Sequence, residues 1–147
     1  MRCILTHEQA DFDALSSLLA AWLLDESAVA ILPQRVNRNV RAFLTLYGSE
    51  LPFVEQRDLP VEPIETLTLV DTQSLISLKG ISRQTHIKVI DHHSLRPDLP
   101  PSWELNLEEV GACTTLLVEA LHEQNGPLLP LQATLMLLGI YEDCGSL

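Results

Sequence analysis

Two short apolar segments, Thr66–Val70 and Thr85–Ile90, constrain the fold most strongly, because each of them stops at an aspartate. Both are rich in Val, Ile, Leu and Thr, which predicts buried strands. The second segment ends in the run Asp91, His92 and His93. If the two strands are parallel neighbours, their carboxyl ends lie side by side at the edge of an open α/β sheet, where ligands bind. We therefore expect acidic side chains and imidazoles to meet in one crevice.

The rest of the chain alternates between strand-like and helix-like segments. Between the two central strands, Gln73–Lys79 has the composition of a short helix or turn. The other predicted strands are Arg2–Thr6, Ala28–Leu32, the short edge strand Phe53–Glu55 and Trp103–Leu107. The predicted helices are Ala14–Asp25, Val36–Tyr47, Gly111 to about Glu123 and Pro130–Tyr141. The alternation predicts a three-layer α/β/α domain with a mainly parallel sheet of about five strands and helices on both faces.

Size and composition limit the class of protein. With 147 residues, 46% of them hydrophobic, the chain is long enough for one domain with a real core. No apolar run reaches the roughly 18–20 residues of a membrane span, so we expect no membrane segment and no signal peptide. Three scattered cysteines, Cys3, Cys113 and Cys144, favour a reducing compartment and a cytoplasmic location. With 20 acidic side chains against 9 Lys and Arg, the chain is a poor general binder of long nucleic acid.

Polar residues with metal-binding side chains collect at the predicted strand ends and helix starts. They are His7, Asp11, Asp13, Asp71, Asp91, His92, His93 and Asp143. Carboxylates mixed with imidazoles, without a cysteine pair, suit Mn²⁺ or Mg²⁺, and also Fe or Co, better than structural zinc. Acids crowded together repel one another strongly unless cations balance them. Two divalent cations would remove that repulsion and form a two-metal site for phosphoryl chemistry.

Each of these residues has an ordinary structural role when it is taken alone. Asp11 or Asp13 could cap the first helix, and Asp71 could cap the segment that follows its strand. A single loop histidine is more often hydrogen-bonded than metal-bound, and Asp143 alone could be a surface acid. Their combination in four separate loops is much more specific than any single member, so we interpret the set as one site.

Four segments of the sequence carry a resemblance to one protein family. They are the stretch from His7 to Ala14, the pair Val70 and Asp71, the run Asp91-His92-His93, and the stretch from Gly139 to Gly145. Together they resemble the N-terminal domain of the DHH phosphoesterase superfamily, which includes manganese-dependent inorganic pyrophosphatases, RecJ-type exonucleases, oligoribonucleases and exopolyphosphatase-like proteins. The resemblance covers essentially the whole chain. Cys144 stands where the family usually has threonine, directly after the expected ligand Asp143.

The resemblance implies two bound divalent cations, with Mn²⁺ favoured and Mg²⁺ or Co²⁺ as the alternatives. One cation would be held by His7, Asp11 and Asp71. The other would be held by Asp13, Asp71, His92 and Asp143, so that Asp71 would bridge the pair. Among the catalytic residues Asp71, His92, His93 and Asp91, the resemblance implies that His93 faces the substrate phosphate and that Asp91 orients an imidazole.

Two further sets of residues are candidate contacts for a substrate phosphate. Gly111 and Thr114 lie in a segment that resembles the family's glycine- and alanine-rich helix start, whose backbone N–H groups could receive a phosphate oxygen. An ordinary glycine-led helix start is the alternative reading of this segment. Arg35, Arg38 and Arg41 repeat every three residues. They form either a solvated helix face or a phosphate-contacting patch.

A narrower resemblance concerns the segment Leu32–Leu44. It is similar to the DHH domain at the front of bacterial proteins that also carry CBS domains and a poly(A)-polymerase or tRNA nucleotidyltransferase-like domain. DHH enzymes normally have a second lobe that closes over the metals, so we expect residues 1–147 to be a single DHH-type domain from the N-terminal part of a longer protein. That C-terminal lobe would be its partner within the same chain.

The expected activity is hydrolysis of a phosphodiester or phosphoanhydride by a two-metal mechanism. The substrate would be a phosphate-containing small molecule or a short nucleic acid, such as a nucleotide, an oligonucleotide or polyphosphate. The alternative is a regulatory domain that binds metal and nucleotide within a multidomain RNA nucleotidyltransferase and has weak or no hydrolysis of its own.

Overall fold

The computed structural model describes residues 1–124 and 126–144, and a parallel β-sheet forms its centre. The strands are β1 (Arg2–Leu5), β2 (Val29–Leu32), β3 (Val54–Glu55), β4 (Thr66–Val70), β5 (His86–Asp91) and β6 (Glu104–Leu107). They form one six-stranded sheet in the order β3-β2-β1-β4-β5-β6, and all neighbours are parallel. The helices are α1 (Phe12–Leu24), α2 (Arg38–Tyr47), α3 (Cys113–Glu123) and α4 (Pro130–Asp143). The predicted α/β class and parallel sheet are confirmed, and the short edge strand β3 makes the sheet six strands wide.

The two faces of the sheet are covered differently. From β1 the chain moves outward through β2 and β3, and from β4 it moves the opposite way through β5 and β6. Because crossovers between parallel strands are right-handed, these two sets of connections lie on opposite faces. All four helices contribute buried residues to one core cluster, which also holds Ile4, Val70 and Ile90 of the strands.

The second core cluster contains strand residues such as Leu67, Leu69 and Val89, and no helix contributes to it in the described part of the chain. Connecting segments cover it instead, with partly buried residues that include Ile76, Leu78, Ile81 and Trp103. The sequence predicted a short helix or a turn for Gln73–Lys79, and this segment forms no helix. The apolar side chains of this irregular connection take the place of a helix, because they bury the same sheet surface.

The strand order places the candidate site at the centre of the sheet. β1 and β4 are neighbours, with Leu5 opposite Leu69, and the chain leaves them toward opposite faces. In open α/β sheets a crevice forms at such a switch point, outside the carboxyl ends of the strands. His7 follows β1 and Asp71 follows β4, so both lie at this crevice.

Close packing of α1 against α4 carries the end of α4 to the same edge. Gly139 makes this approach possible, because an added Cβ would overlap the Oγ of Ser16 on α1. α1 itself begins at Asp11, whose side chain accepts a hydrogen bond from the N–H of Ala14 at 2.9 Å. Of the helices in residues 1–124 and 126–144, none has the length and apolar character that a membrane crossing requires.

Candidate metal centre

All six predicted metal ligands lie at the carboxyl edge of the sheet, in two overlapping groups. Every group offers ligand atoms that lie within 4.8 Å of one another. The first group, called here the outer group, contains His7, Asp11 and Asp71. The second, called the inner group, contains Asp13, Asp71, His92 and Asp143. The groups share Asp71, as the predicted bridge requires, although the role of these residues as ligands stays a prediction.

In the outer group, the Nε2 atom of His7 lies 3.3 Å from Oδ2 of Asp71. The Nδ1 atom of His7 lies 2.8 Å from the carbonyl oxygen of Glu8, to which it can donate a hydrogen bond. In neutral His7 that bond puts the proton on Nδ1 and leaves the Nε2 lone pair facing the carboxylates, which is the state a metal ligand needs.

In the inner group, the Nε2 atom of His92 faces three carboxylates. It lies 3.1 Å from Oδ1 of Asp71, 3.4 Å from Oδ2 of Asp143 and 3.5 Å from Oδ2 of Asp13. Its Nδ1 atom is 3.0 Å from the carbonyl oxygen of Val110, which fixes the ring in the same way as in His7.

Two buried atoms of this centre lack a hydrogen-bond partner in the described part of the chain. They are Oδ1 of Asp71 and Nε2 of His92, which face one another without hydrogen-bond geometry. Unsatisfied buried polar atoms are costly and call for an explanation. Ligand atoms around a cation with bonds of about 2.1 Å lie roughly 3.0–3.5 Å apart, so the three spacings around His92 fit a shared ion. The donor set therefore fits a divalent cation.

Asp71 is also unusual in its backbone. Its φ angle is 58°, in the left-handed region that few residues other than glycine adopt. Aspartate tolerates this conformation better than most side chains, yet it still carries strain. The turn lets the chain leave β4 abruptly, so that both carboxylate oxygens of Asp71 point into the centre, one toward each group.

The crowded carboxylates of the centre shift the pKa values of its titratable side chains. The Asp71 carboxylate, 3.3 Å from Nε2 of His7 and 3.1 Å from Nε2 of His92, raises the pKa of both imidazoles to about 9, against the opposing effect of burial. Burial raises the pKa of Asp13 to about 8, and the nearby charge of Asp71 adds to this effect. Burial also acts to raise the pKa of Asp71, but the two histidines outweigh it and lower that pKa. Without cations, protons on the histidines balance the Asp71 carboxylate.

The start of α3 holds Asp13, and this corrects one of the predicted substrate contacts. The backbone N–H of Cys113 donates to Oδ2 of Asp13 at 3.0 Å, and that of Thr114 donates to Oδ1 at 2.9 Å. The Thr114 hydroxyl donates to the same oxygen at 2.7 Å. Thr114 is fully buried, so its donors serve Asp13 and are not open to a substrate. Gly111 is exposed, and an added Cβ there would lie 2.7 Å from the Sγ of Cys144.

Asp91 supports His93. The Asp91 side chain is buried and accepts from Nδ1 of His93 at 2.7 Å and from Nε2 of Gln73 at 2.9 Å. The prediction left open which imidazole Asp91 orients, and the geometry identifies His93. The rings of His92 and His93 stand 4.2 Å apart at 49°, and more than half of the His93 side chain is exposed.

A cavity of about 330 Å³ opens beside the outer group, on the side of His93. Besides His7, Asp71, Asp91 and His93 it is lined by Thr72, Gln73, Ser94 and Arg96. Gln73 and Arg96 were not predicted as site residues, although each follows a predicted site residue within three positions. Gln73 also holds the loop after β5, because its Oε1 accepts from the N–H of Arg96 at 2.9 Å.

The three predicted arginines do not line this cavity, whereas Glu142 offers a carboxylate oxygen within 4.8 Å of those of Asp11 and Asp143. Arg35, Arg38 and Arg41 are exposed and do not line this cavity, so the structure does not join them to the acidic cluster. Glu142, which sequence reasoning overlooked, accepts from the N–H of Phe12 at 2.9 Å and so ties α4 to the start of α1. Gly145, the last residue of the fourth motif, lies outside the described residues.

The pattern described as "DHH family, N-terminal domain" matches residues 2–140. The chain belongs to this DHH family. That membership confirms the resemblance expected from the four motifs.

Two relatives of this DHH domain are A-adding tRNA nucleotidyltransferases. The one from Geobacter sulfurreducens is 36% identical over 154 residues, and the one from Aquifex aeolicus is 32% identical over 145 residues. The alignments cover 100% and 99% of this chain but only 17% of each relative. Their names agree with the narrower resemblance to proteins that carry a nucleotidyltransferase-like domain.

Two solved structures share the fold of this DHH domain. One, from Methanococcus jannaschii, is assigned to family II inorganic pyrophosphatase and is 22% identical, with a TM-score of 0.69. The other is an exopolyphosphatase-related protein from Bacteroides fragilis, 18% identical, also with a TM-score of 0.69. Each match covers 97% of this chain and somewhat less than half of the other chain, 48% and 46% respectively.

Proposed function

We propose that this DHH domain hydrolyses a phosphodiester or phosphoanhydride bond with the help of two divalent cations. The observation that carries the proposal is the position of Asp71. One of its carboxylate oxygens faces His7 of the outer group, and the other faces His92 of the inner group without a hydrogen-bond partner. A single carboxylate between two sets of donors is the arrangement that a pair of bridged cations requires.

The outer cation would be held by His7, Asp11 and Asp71, and the inner cation by Asp13, Asp71, His92 and Asp143. Mixed carboxylate and imidazole ligands favour Mn²⁺, with Mg²⁺ and Co²⁺ as alternatives. Such a pair of cations supplies an activated water and an electrostatic clamp for in-line displacement at phosphorus.

The chain's own residues would position the substrate. His93 is exposed at the cavity, and its Nδ1 donates to Asp91, which leaves Nε2 free for a substrate phosphate, to which the imidazolium form of the ring would donate a hydrogen bond. Arg96 lines the same cavity, where its guanidinium pairs with Asp98 at 3.1 Å and has further N–H donors for a substrate phosphate. The substrate class would be a phosphate-containing small molecule or a short nucleic acid, met in the cytoplasm, with the C-terminal lobe of the longer protein as the partner that closes over it.

The proposal is tested with Asp71→Asn and with Asp58→Asn, a matched change at an exposed acid outside the cluster. Hydrolysis of pyrophosphate, tripolyphosphate and a dinucleotide is measured with Mn²⁺ for the longer protein and for this domain. We expect Asp71→Asn to lose two-site Mn²⁺ binding in calorimetry and hydrolysis of every substrate, while Asp58→Asn keeps both. Wild-type hydrolysis by Asp71→Asn would disprove the proposal.

The names of the two relatives favour a second candidate function. In this alternative, the domain binds metal and nucleotide within an RNA nucleotidyltransferase and regulates it, with weak or no hydrolysis. Two-site Mn²⁺ binding without turnover of any tested phosphate substrate by the longer protein would favour this alternative. Turnover that disappears with Asp71→Asn would favour the hydrolase.

A further inference from the structure

A second and larger hollow, which the proposed hydrolytic centre does not use, opens between α2 and the carboxyl ends of β2 and β3. Its volume is about 520 Å³, within the range of roughly 300–1,000 Å³ that is typical of small-molecule sites. On the helix side it is lined by Arg41, Leu44, Thr45 and Gly48, which lie on one stripe of α2. None of its lining residues lines the cavity beside the metal centre.

This hollow lies on the same sheet edge as the metal centre. Its residue Leu32 ends β2, which is paired with β1, and paired strands lie about 4.8 Å apart. The loops after the two strands are joined, because the carboxylate of Glu8 accepts from the N–H of Gln34 at 3.3 Å and from that of Arg35 at 2.9 Å. The hollow therefore begins one strand away from His7.

The lining combines apolar walls with polar groups that have hydrogen-bonding capacity left. Leu44 and Phe53 supply apolar surface. The Gln56 side chain accepts from Nε2 of Gln34 at 3.3 Å, but its own Nε2 has no hydrogen-bond partner among the described residues. A hydrogen bond from this unsatisfied amide N–H to an acceptor on a ligand would favour binding.

The charge of the hollow differs from that of the chain as a whole. The chain has a net charge of −11, yet this hollow is lined by two guanidinium groups, those of Arg41 and Arg57, against one carboxylate, that of Glu55. Arg57 is 2.7 Å from Glu55, whereas Arg41 forms no ion pair within residues 1–124 and 126–144. An unpaired guanidinium beside an apolar wall suits a ligand that has both a phosphate and a flat apolar part.

We propose that the α2 hollow binds one nucleoside monophosphate unit. The base packs against Leu44 and Phe53, the Gln34 and Gln56 amides hydrogen-bond its edge, and Arg41 pairs with its phosphate. Binding of this unit does not depend on hydrolysis. Its assignment as part of the substrate, next to a scissile phosphate at the metal centre, rests on the proposed function and would make the substrate a nucleotide rather than pyrophosphate.

Calorimetry in EDTA, with the Asp71→Asn variant as background, separates this binding from the metal centre. AMP and UMP are the probes, and ribose 5-phosphate and inorganic phosphate are the comparison ligands. We expect saturable binding of the nucleotides and at least about tenfold weaker binding of ribose 5-phosphate, because it lacks the base. Equal binding of AMP and inorganic phosphate, or no binding of either nucleotide, would overturn the proposal.

Three variants locate the binding. Arg41→Gln should weaken AMP binding by about tenfold, since it removes one charge-assisted contact. Arg38→Gln is the matched control on the same helix. Arg38 is exposed but lies outside the hollow, so this change should leave AMP binding unchanged. Gly48→Leu should block it by filling the hollow, because an added Cβ there meets only Leu44, at 3.8 Å or more. Equal effects of the two arginine variants would contradict the assignment, whether or not Gly48→Leu folds.

The source of the nucleotide unit is found by competition with a short oligoadenylate. If the oligonucleotide displaces AMP from the wild-type protein and loses affinity in Arg41→Gln, the unit belongs to a nucleic acid. If only the mononucleotides bind, the site takes a free nucleotide. In both cases the hollow is a nucleotide site, and this result stands even if the metal centre proves inactive in hydrolysis.

Discussion

The outer and inner ligand groups share Asp71 but differ in how firmly the protein holds them. His7 of the outer group is 32% exposed in its side chain, whereas His92 of the inner group is 10% exposed. In the inner group, Asp13 is fully buried and receives three hydrogen bonds from the start of α3. In the outer group, Asp11 is half-buried, and one of its carboxylate oxygens already accepts the hydrogen bond that caps α1.

This difference indicates that the inner position is preorganised, whereas the outer position can adjust. The inner group is more buried, with Asp143 as its most exposed side chain at 23%, and the start of α3 fixes Asp13, so these side chains would lose little conformational freedom around an ion. The outer group borders the 330 Å³ cavity and is the side from which a substrate would arrive. We therefore expect the inner position to bind its cation more tightly and the outer position to exchange its cation more readily.

The largest effect should come from Asp13→Asn compared with Asp11→Asn. Asp13→Asn removes a buried carboxylate charge and places an amide NH₂ group against the N–H of Cys113 or Thr114, both of which are donors. We expect the rate of hydrolysis to fall by more than about 100-fold. Mutation of a residue that only supports a metal ligand typically costs about 10–100-fold. Asp11→Asn should cost less, because Asn also caps helices and the outer site is open.

Calorimetric titration with Mn²⁺ checks this prediction, together with rates of hydrolysis for both variants. The tighter binding step should disappear in Asp13→Asn, whereas only the weaker step should change in Asp11→Asn. If Asp11→Asn removed the tighter step, the ranking of the two positions would be reversed.

Much of this centre was predictable from the sequence, because its residues follow strands directly. A parallel sheet brings the carboxyl ends of neighbouring strands together, so His7, Asp71 and the Asp91-His92-His93 run had to meet once β1, β4 and β5 were neighbours. The four motif loops also fixed which family the chain resembles, and that resemblance is confirmed.

Contacts over long sequence distances were not predictable in the same way. Thr114 lies 101 residues from Asp13, and no local pattern shows that its donors turn inward to that carboxylate. The choice of His93 as the partner of Asp91 depends on side-chain rotamers. Whether Gln73–Lys79 forms a helix or a turn depends on whether a first helical turn nucleates there, and the sequence of this short connection is compatible with both outcomes.

An intermediate effect should come from Thr114→Val, a nearly isosteric change that removes the hydroxyl donor to Asp13 together with the contact between the Thr114 and Ser16 hydroxyls. Without that donor the pKa of Asp13 rises further, so a cation must displace a more tightly held proton. Inner-site Mn²⁺ affinity should fall about tenfold, at the low end for partners of metal ligands. Thr114→Ser should restore the affinity, and Thr115→Val serves as the neighbouring control. Equal affinity in Thr114→Val and wild type would show that the two N–H groups suffice to hold Asp13.

A further difference between the two positions should lie in the pH dependence of metal binding. Metal binding requires deprotonated ligands, so cations compete with protons wherever the pKa lies above the working pH. At the inner site both His92, with its pKa near 9, and Asp13, with its pKa near 8, must lose a proton. At the outer site His7, with its pKa near 9, must lose one.

Mn²⁺ affinity should therefore rise with pH at both positions between about pH 6 and pH 8, more steeply at the inner one. One competing proton gives at most about tenfold per pH unit, and two give up to about 100-fold. Calorimetry in buffers of different ionisation enthalpy counts the protons released at each step. Release of one proton at both steps would mean that Asp13 is already ionised without the cation, and the donors from α3 would then outweigh its burial.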